Sequence, residues 1–269
     1  MYREVNAERA LIEDQLTRLV SAATTKADQE AEPSLGIQGQ TGNRYWYYFN
    51  QPLGRPGKHG AVFRGVDAEE HDIAVKRIDL TAGQNDRKQF TREIEIAERL
   101  STIQPDYLMP ILDWTWVSDA LFIMMPLASR SLAEEIELHP QGLEPNEVRQ
   151  VLIEITTGLA DMHANKVVHR DIKPHNILYY DGRWRLADFG ISRNLEVTTA
   201  TLSWNGTGTI EYWAPEVFRT FRTNQTSDLY ALGCVAYELV TGQLAFSGDD
   251  IATRHTQGIP SLPESTESW

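Results

Sequence analysis

Strand-type patterns fill the first half of the folded part of this chain and helical patterns fill the second, and that order limits the fold more than any other feature. Tyr45-Trp46-Tyr47-Tyr48-Phe49, Ala61-Val62-Phe63-Arg64, Asp72 to Ile78 and Leu121 to Met125 are short apolar runs of strand type. A single helical period interrupts them, with apolar residues at Phe90, Ile94, Ala97 and Leu100. After Asn146 the period is helical, over Val148 to Ala164 and again over Asp228 to Val240. Strands first and helices later predict an α+β chain of two lobes. No internal repeat is visible.

Ahead of this core, Leu11, Ile12, Leu16, Leu19 and Val20 recur at helical spacing and predict an amphipathic N-terminal helix. Thr24 to Gly42 carries Pro33, Gly36, Gly39 and Gly42 among polar residues and reads as a linker. The expected divisions are 1–42 for helix and linker, 43–127 for a β-rich lobe and 128–269 for a helical lobe.

Composition excludes several classes. A net charge of −13 argues against general nucleic-acid binding, which needs clustered Lys and Arg. No apolar run approaches the ~20 residues of a membrane span, and no basic start with an apolar stretch marks a secretory signal. Cys234 is the only cysteine, so no internal disulfide can form and a cytoplasmic location is expected.

The chemistry is concentrated in two blocks. In His169-Arg170-Asp171-Ile172-Lys173-Pro174-His175-Asn176, the Asp171 carboxylate can take a hydroxyl proton, Lys173 can neutralise a phosphoryl group and the Asn176 amide oxygen can face a metal ion. Asp188-Phe189-Gly190 then offers a hard oxygen ligand suited to Mg²⁺. Together they are the parts that phosphoryl transfer requires: held phosphates, a metal and an oriented hydroxyl.

In order and spacing these blocks resemble the eukaryotic-type protein kinase family, over about residues 45 to 248. The resemblance implies a bilobal kinase fold that uses ATP and Mg²⁺ to phosphorylate a protein substrate. It implies that Lys76, in Ile73-Ala74-Val75-Lys76, contacts the phosphates and that Glu93 is its ion-pair partner. Val62, Ala74, Met125, Leu127 and Ala128 then line the adenine pocket, with Met125 at its back and Leu127 and Ala128 in the hinge. Gly54, Gly57 and Gly60 form the phosphate loop, although G-x-x-G-x-x-G replaces the family's usual G-x-G-x-x-G. Asn176 and Asp188 are the metal ligands, and Phe189, His169, Ala97 and Ile111 stack across the lobes.

Lys173 together with Thr209, in the block Gly208-Thr209-Ile210-Glu211-Tyr212-Trp213-Ala214-Pro215-Glu216, is similar to Ser/Thr kinases. The hydroxyls of Thr198, Thr199, Thr201, Ser203 and Thr207 imply autophosphorylation of the segment between Arg193 and Thr207, with Arg170 as the cation that orders a phosphate there. Asp228 is expected to hold the catalytic-loop backbone, and Cys234 to be a small core residue.

The family normally continues for some tens of residues past the point reached at Gly242. The tail from Gln243 to Trp269 reads as loop, and the family's arginine partner for Glu216 has no counterpart. The helical lobe is therefore expected to be short, either naturally so and completed by self-association or by a partner, with the N-terminal helix as one candidate surface, or truncated. The alternative reading is a pseudokinase serving as a nucleotide-binding or scaffolding module. The altered glycine loop favours it, and the full set of Lys76, Glu93, Asp171, Asn176 and Asp188 opposes it.

Overall fold

The computed structural model describes residues 35–57, 60–79, 84–103, 106–188, 210–248, 250–258 and 260. The expected N-terminal helix lies outside the described residues, as do Phe189, Gly190, Thr209 and the hydroxyls from Thr198 to Thr207.

The small lobe is an antiparallel sheet with one helix. Its strands are β1 (Leu35–Gln38), β2 (Arg44–Gly57), β3 (Gly60–Asp67), β4 (Asp72–Asp79), β5 (Asp113–Val117) and β6 (Ala120–Pro126), ordered β1-β2-β3-β4-β6-β5. Helix α1 (Gln84–Ile103) connects β4 to β5. Period-two alternation gives the sheet two apolar faces. Ile37, Tyr45, Tyr47, Ile73, Val75, Phe122 and Met124 form one cluster. Ala74, Ile78, Trp114, Leu121, Ile123 and Met125 face the other way, into the main core, against the Phe90, Ile94, Ala97 and Leu100 stripe of α1.

The glycine-rich composition before Tyr45 predicts a linker, yet residues 35–38 form an edge strand paired with β2, Leu35 opposite Tyr47 and Gln38 opposite Arg44. A long-range contact decides the matter. Asp113, fully buried on β5, accepts from the backbone N–H groups of Gln40 (2.9 Å), Thr41 and Trp114 (2.8 Å) and from the Thr41 hydroxyl. Gly39 is required there, because a Cβ would fall 2.0 Å from an Asp113 oxygen. A buried carboxylate so furnished with donors fixes the turn after β1, and nothing in local composition announces it.

The large lobe begins with β7 (Arg130–Ser131) and α2 (Leu132–Leu138), whose start carries a reciprocal capping box between Ser131 and Glu134. The long helix α3 (Pro145–Ala164) follows, entered by Pro145 in the first turn, where a missing N–H costs nothing. A hairpin of β8 (Ile177–Tyr180) and β9 (Arg183–Leu186) lies on α3, held by the Trp184 N–H to the buried Glu154 (2.8 Å). Helices α4 (Pro215–Thr220), α5 (Gln225–Thr241) and α6 (Ile251–Gln257) complete the described lobe. The segment between α1 and β5 is sewn to this lobe: Met109 donates to Leu186 O (2.8 Å), and Leu186 donates to Tyr107 O (2.9 Å).

The tail after Gly242 predicts loop, but it contains α6. That short helix is held by packing and not by propensity. Its His255 is buried, with ring contacts to Phe218, Tyr230 and Phe246, and its Nδ1 lies 2.7 Å from the Tyr230 hydroxyl. Burial lowers the His255 pKa from 6.5 to about 4, and complete burial lowers that of His169 as well. Between pH 6.5 and 4 the unfolded chain thus binds more protons than the folded one. Stability is therefore full above pH 6.5 and lost as the pH falls toward 4, by on the order of 3 kcal/mol at most for His255. Urea unfolding at pH 7 and pH 5 should show a smaller loss for His255→Phe than for the parent. Equal losses would remove His255 from the account.

Candidate active site

Strand register assembles the upper wall of the cleft. Val62 on β3 lies opposite Lys76 on β4, and Ala74 lies opposite Met125 on β6. Opposed residues, and residues two apart on one strand, share a face. Val62, Ala74, Lys76 and Met125 are therefore on one side of the sheet, and Leu127 and Ala128 follow directly where β6 ends at Pro126.

The glycine loop is the β2–β3 turn, closed where Gly57 opposes Gly60. From Tyr47 to Pro52 the register advances five positions on β2 against two on β3, and from Leu53 to Gly57 four against two. Such bulges absorb the unusual glycine spacing and bend the strand. At Gly60 a Cβ would lie 1.9 Å from Arg77 O, so a side chain is excluded there by close approach to β4. Gly54 has open space around it instead.

Lys76 and Glu93, which the resemblance pairs, each also meet an opposite charge of the catalytic region. Lys76 Nζ is 2.8 Å from Asp188 Oδ2, and Glu93 Oε1 is 3.5 Å from an Arg170 guanidinium nitrogen. Glu93 sits on α1 with its side chain mostly covered, so it faces the cleft and not solvent. These are two ion pairs, one from β4 to Asp188 and one from α1 to the catalytic loop.

The lower wall is the turn ending in the 3₁₀ segment Pro174–Asn176. Asn176 Nδ2 donates to Asp171 O (2.8 Å) and Oδ2 (2.7 Å), and Lys173 Nζ lies 2.9 Å from the same Oδ2. Ala187 N donates to Asn176 O (2.9 Å), which sets Asp188 beside the asparagine. Arg170 and Asp188 both adopt positive φ, 76° and 61°, uncommon for residues with side chains. Such strain persists only where surroundings impose it.

Asp228, at the start of α5 and 1% exposed, does so for Arg170. It accepts from the His169 N–H (2.8 Å), the Arg170 N–H (2.8 Å) and His163 Nε2 (2.9 Å). The backbone part of this arrangement is as expected from the sequence. His163 was not legible, because a histidine near a helix end has many roles. Glu216 has a partner that the sequence does not announce: Ser227 Oγ donates to its Oε1 at 2.8 Å. Nearby, Tyr212 donates to Glu238 Oε2 (2.6 Å), and burial pushes the Tyr212 and Glu238 pKa values up. Cys234 is buried with its thiol pushed up to about 12, as suits a core residue.

Oxygen donors fit a hard divalent cation. Asp188 supplies a carboxylate. The Asn176 amide nitrogen is taken up by Asp171, which leaves its oxygen as the end suited to a metal. The pair fits a Mg²⁺ site.

Residues 47–267 match the family model of the protein kinase domain, and this chain belongs to that family. It is 32% identical over 213 residues to the serine/threonine-protein kinase PrkC of Bacillus subtilis, an alignment covering 74% of this chain and 32% of that protein. It is 34% identical over 218 residues to a probable serine/threonine-protein kinase PknB of Corynebacterium glutamicum, covering 77% and 34%. To the serine/threonine-protein kinase PknL of Mycobacterium tuberculosis it is 32% identical over 195 residues, covering 72% and 49%. The chain thus spans between a third and a half of the length of these relatives. Among the described residues no helix is long and apolar enough to cross a membrane.

Proposed function

We propose that this chain is an ATP-dependent protein serine/threonine kinase that also phosphorylates its own segment between Arg193 and Thr207. One observation carries the reading. Lys173 and Asn176 converge on one carboxylate oxygen of Asp171 on the lower wall of the cleft, and Lys76 of the upper wall reaches Asp188. Relatives named as serine/threonine kinases support the choice of acceptor.

ATP would lie between the walls, its adenine against Val62, Ala74 and Met125 and its edge toward the backbone of Leu127 and Ala128. Gly54, Gly57 and Gly60 let backbone N–H groups approach the phosphates, and Lys76 neutralises them. Asp188 and Asn176 would hold Mg²⁺, which when bound spreads the charge of the transferring phosphoryl group. Asp171 orients the acceptor hydroxyl and takes its proton. The hydroxyl oxygen bonds to the γ-phosphorus, the bond to the β-phosphate oxygen breaks, and ADP leaves with the electron pair. Lys173, already on Asp171 Oδ2, is placed to steady the charge in flight.

The test is mass spectrometry of the purified chain after incubation with Mg²⁺ and ATP, beside Asp188→Asn. Phosphate between Arg193 and Thr207 in the parent alone is the expected result. Absence of phosphate from the parent and from an added basic protein would overturn the proposal.

A further inference from the structure

Helix α1 carries Glu93 into the cleft, so its rotation about its own axis decides where that carboxylate lies. Its apolar stripe of Phe90, Ile94, Ala97 and Leu100 allows rolling, because hydrophobic contact is not directional. Something directional is needed to fix the angle.

Strand β5 supplies it. Trp114 and Trp116 are two apart on β5 and so project from the same face, opposite Ile123 and Leu121 of β6. The Trp116 indole N–H donates to the Thr91 hydroxyl at 3.0 Å, and the Trp114 indole N–H donates to Glu98 Oε2 at 3.3 Å. Arg87, one turn before Thr91, lies over the Trp116 ring at 4.7 Å. Thr91 and Glu98 are seven residues apart, which at about 100° per residue brings them to nearly the same angle, about 10 Å apart along the axis. Glu93 lies about 200° around from Thr91, across the buried stripe. The two indoles therefore grip one flank of the helix at two heights while Glu93 occupies the other. One grip would leave a pivot; two oppose both roll and tilt.

We propose that Trp114 and Trp116 are positioning residues for the phosphotransfer site, setting the angle of α1 and through it the placement of Glu93 in the cleft. The Asp113 anchor beneath them, which holds Gln40 and Thr41, fixes the strand from which they act. The inference rests on the proposed kinase activity for its catalytic consequence, though not for its structural one.

The test compares the parent with Trp116→Phe, Thr91→Val, the double variant and Thr91→Ser. Phenylalanine keeps the ring under Arg87 and removes only the donor; serine keeps the acceptor. Two readouts are taken: kcat and KM for ATP, and hydrogen exchange of the amides of residues 91–98. Loss of one hydrogen bond that fixes geometry should lower kcat about five- to tenfold, with faster exchange in that stretch and unchanged exchange in α3. The double variant should match the singles, since both remove one bond, and Thr91→Ser should keep the parent's values. Unchanged kcat and unchanged exchange in the single variants would overturn the proposal, as would a uniform rise in exchange through α3, which marks mere loss of stability. If the parent itself transfers no phosphate, the kinase reading fails, and the exchange data alone then decide whether the indoles hold the helix.

Discussion

Asp171→Ala is expected to lower phosphate transfer by about a thousandfold, while leaving ATP affinity within a few-fold of the parent. The asymmetry follows from the geometry. Asp171 is held by Lys173 and Asn176 on the lower wall, and the groups assigned to the adenine and phosphates, Val62, Ala74, Lys76 and Met125, belong to the upper one. An interaction that acts on the reacting hydroxyl affects kcat and spares nucleotide binding. Single-turnover labelling and calorimetry with ATP and Mg²⁺ would separate the two. A rate within tenfold of the parent would show that Asp171 is not the residue that orients the hydroxyl.

Asp228→Ala should have the largest effect on stability. The substitution leaves the buried N–H of His169, the part-buried N–H of Arg170 and the His163 ring without this acceptor. Stranding such groups costs about 3–5 kcal/mol in total, a large part of the 5–15 kcal/mol that holds a domain together. Arg170 would also lose the contact that holds it at positive φ. Asp228→Asn, retaining one acceptor oxygen, should fall between the two. Urea denaturation followed by tryptophan fluorescence reads the difference, and a loss under about 1 kcal/mol would mean that other contacts carry the catalytic loop.

The kinase fold and its charged centre were legible because they depend on local pattern. Strand alternation around Ala74 and Lys76, the helical stripe of Phe90 to Leu100, and the blocks at Asp171 and Asp188 each lie within a dozen residues. What escaped depends on residues far apart in the chain. The edge strand at Leu35–Gln38 is fixed by Asp113, more than seventy residues away. The Ser227 partner of Glu216 and the His163 partner of Asp228 are likewise products of the fold. Helix α6 was missed because its stability comes from the aromatic surroundings of His255 and not from its own sequence. The contacts of Lys76 with Asp188 and of Glu93 with Arg170 are not recorded by any motif, since side-chain charge can take further partners without any change in the backbone.

The stitch between Tyr107–Met109 and Leu186 bears on how the cleft opens. Helix α1 belongs to the small lobe by sequence and by its grip on β5, yet the residues just beyond it are hydrogen-bonded to β9 of the large lobe. Its far end is therefore a fulcrum. When the sheet rocks over the cleft, α1, tied to β5 by both indoles, turns with it about that end, so that Glu93, midway along, swings through an arc shorter than that of the glycine loop. On the proposed kinase reading, opening the cleft to release ADP need not unseat the carboxylate by the full travel of the sheet, and each turnover can begin from a nearly set position.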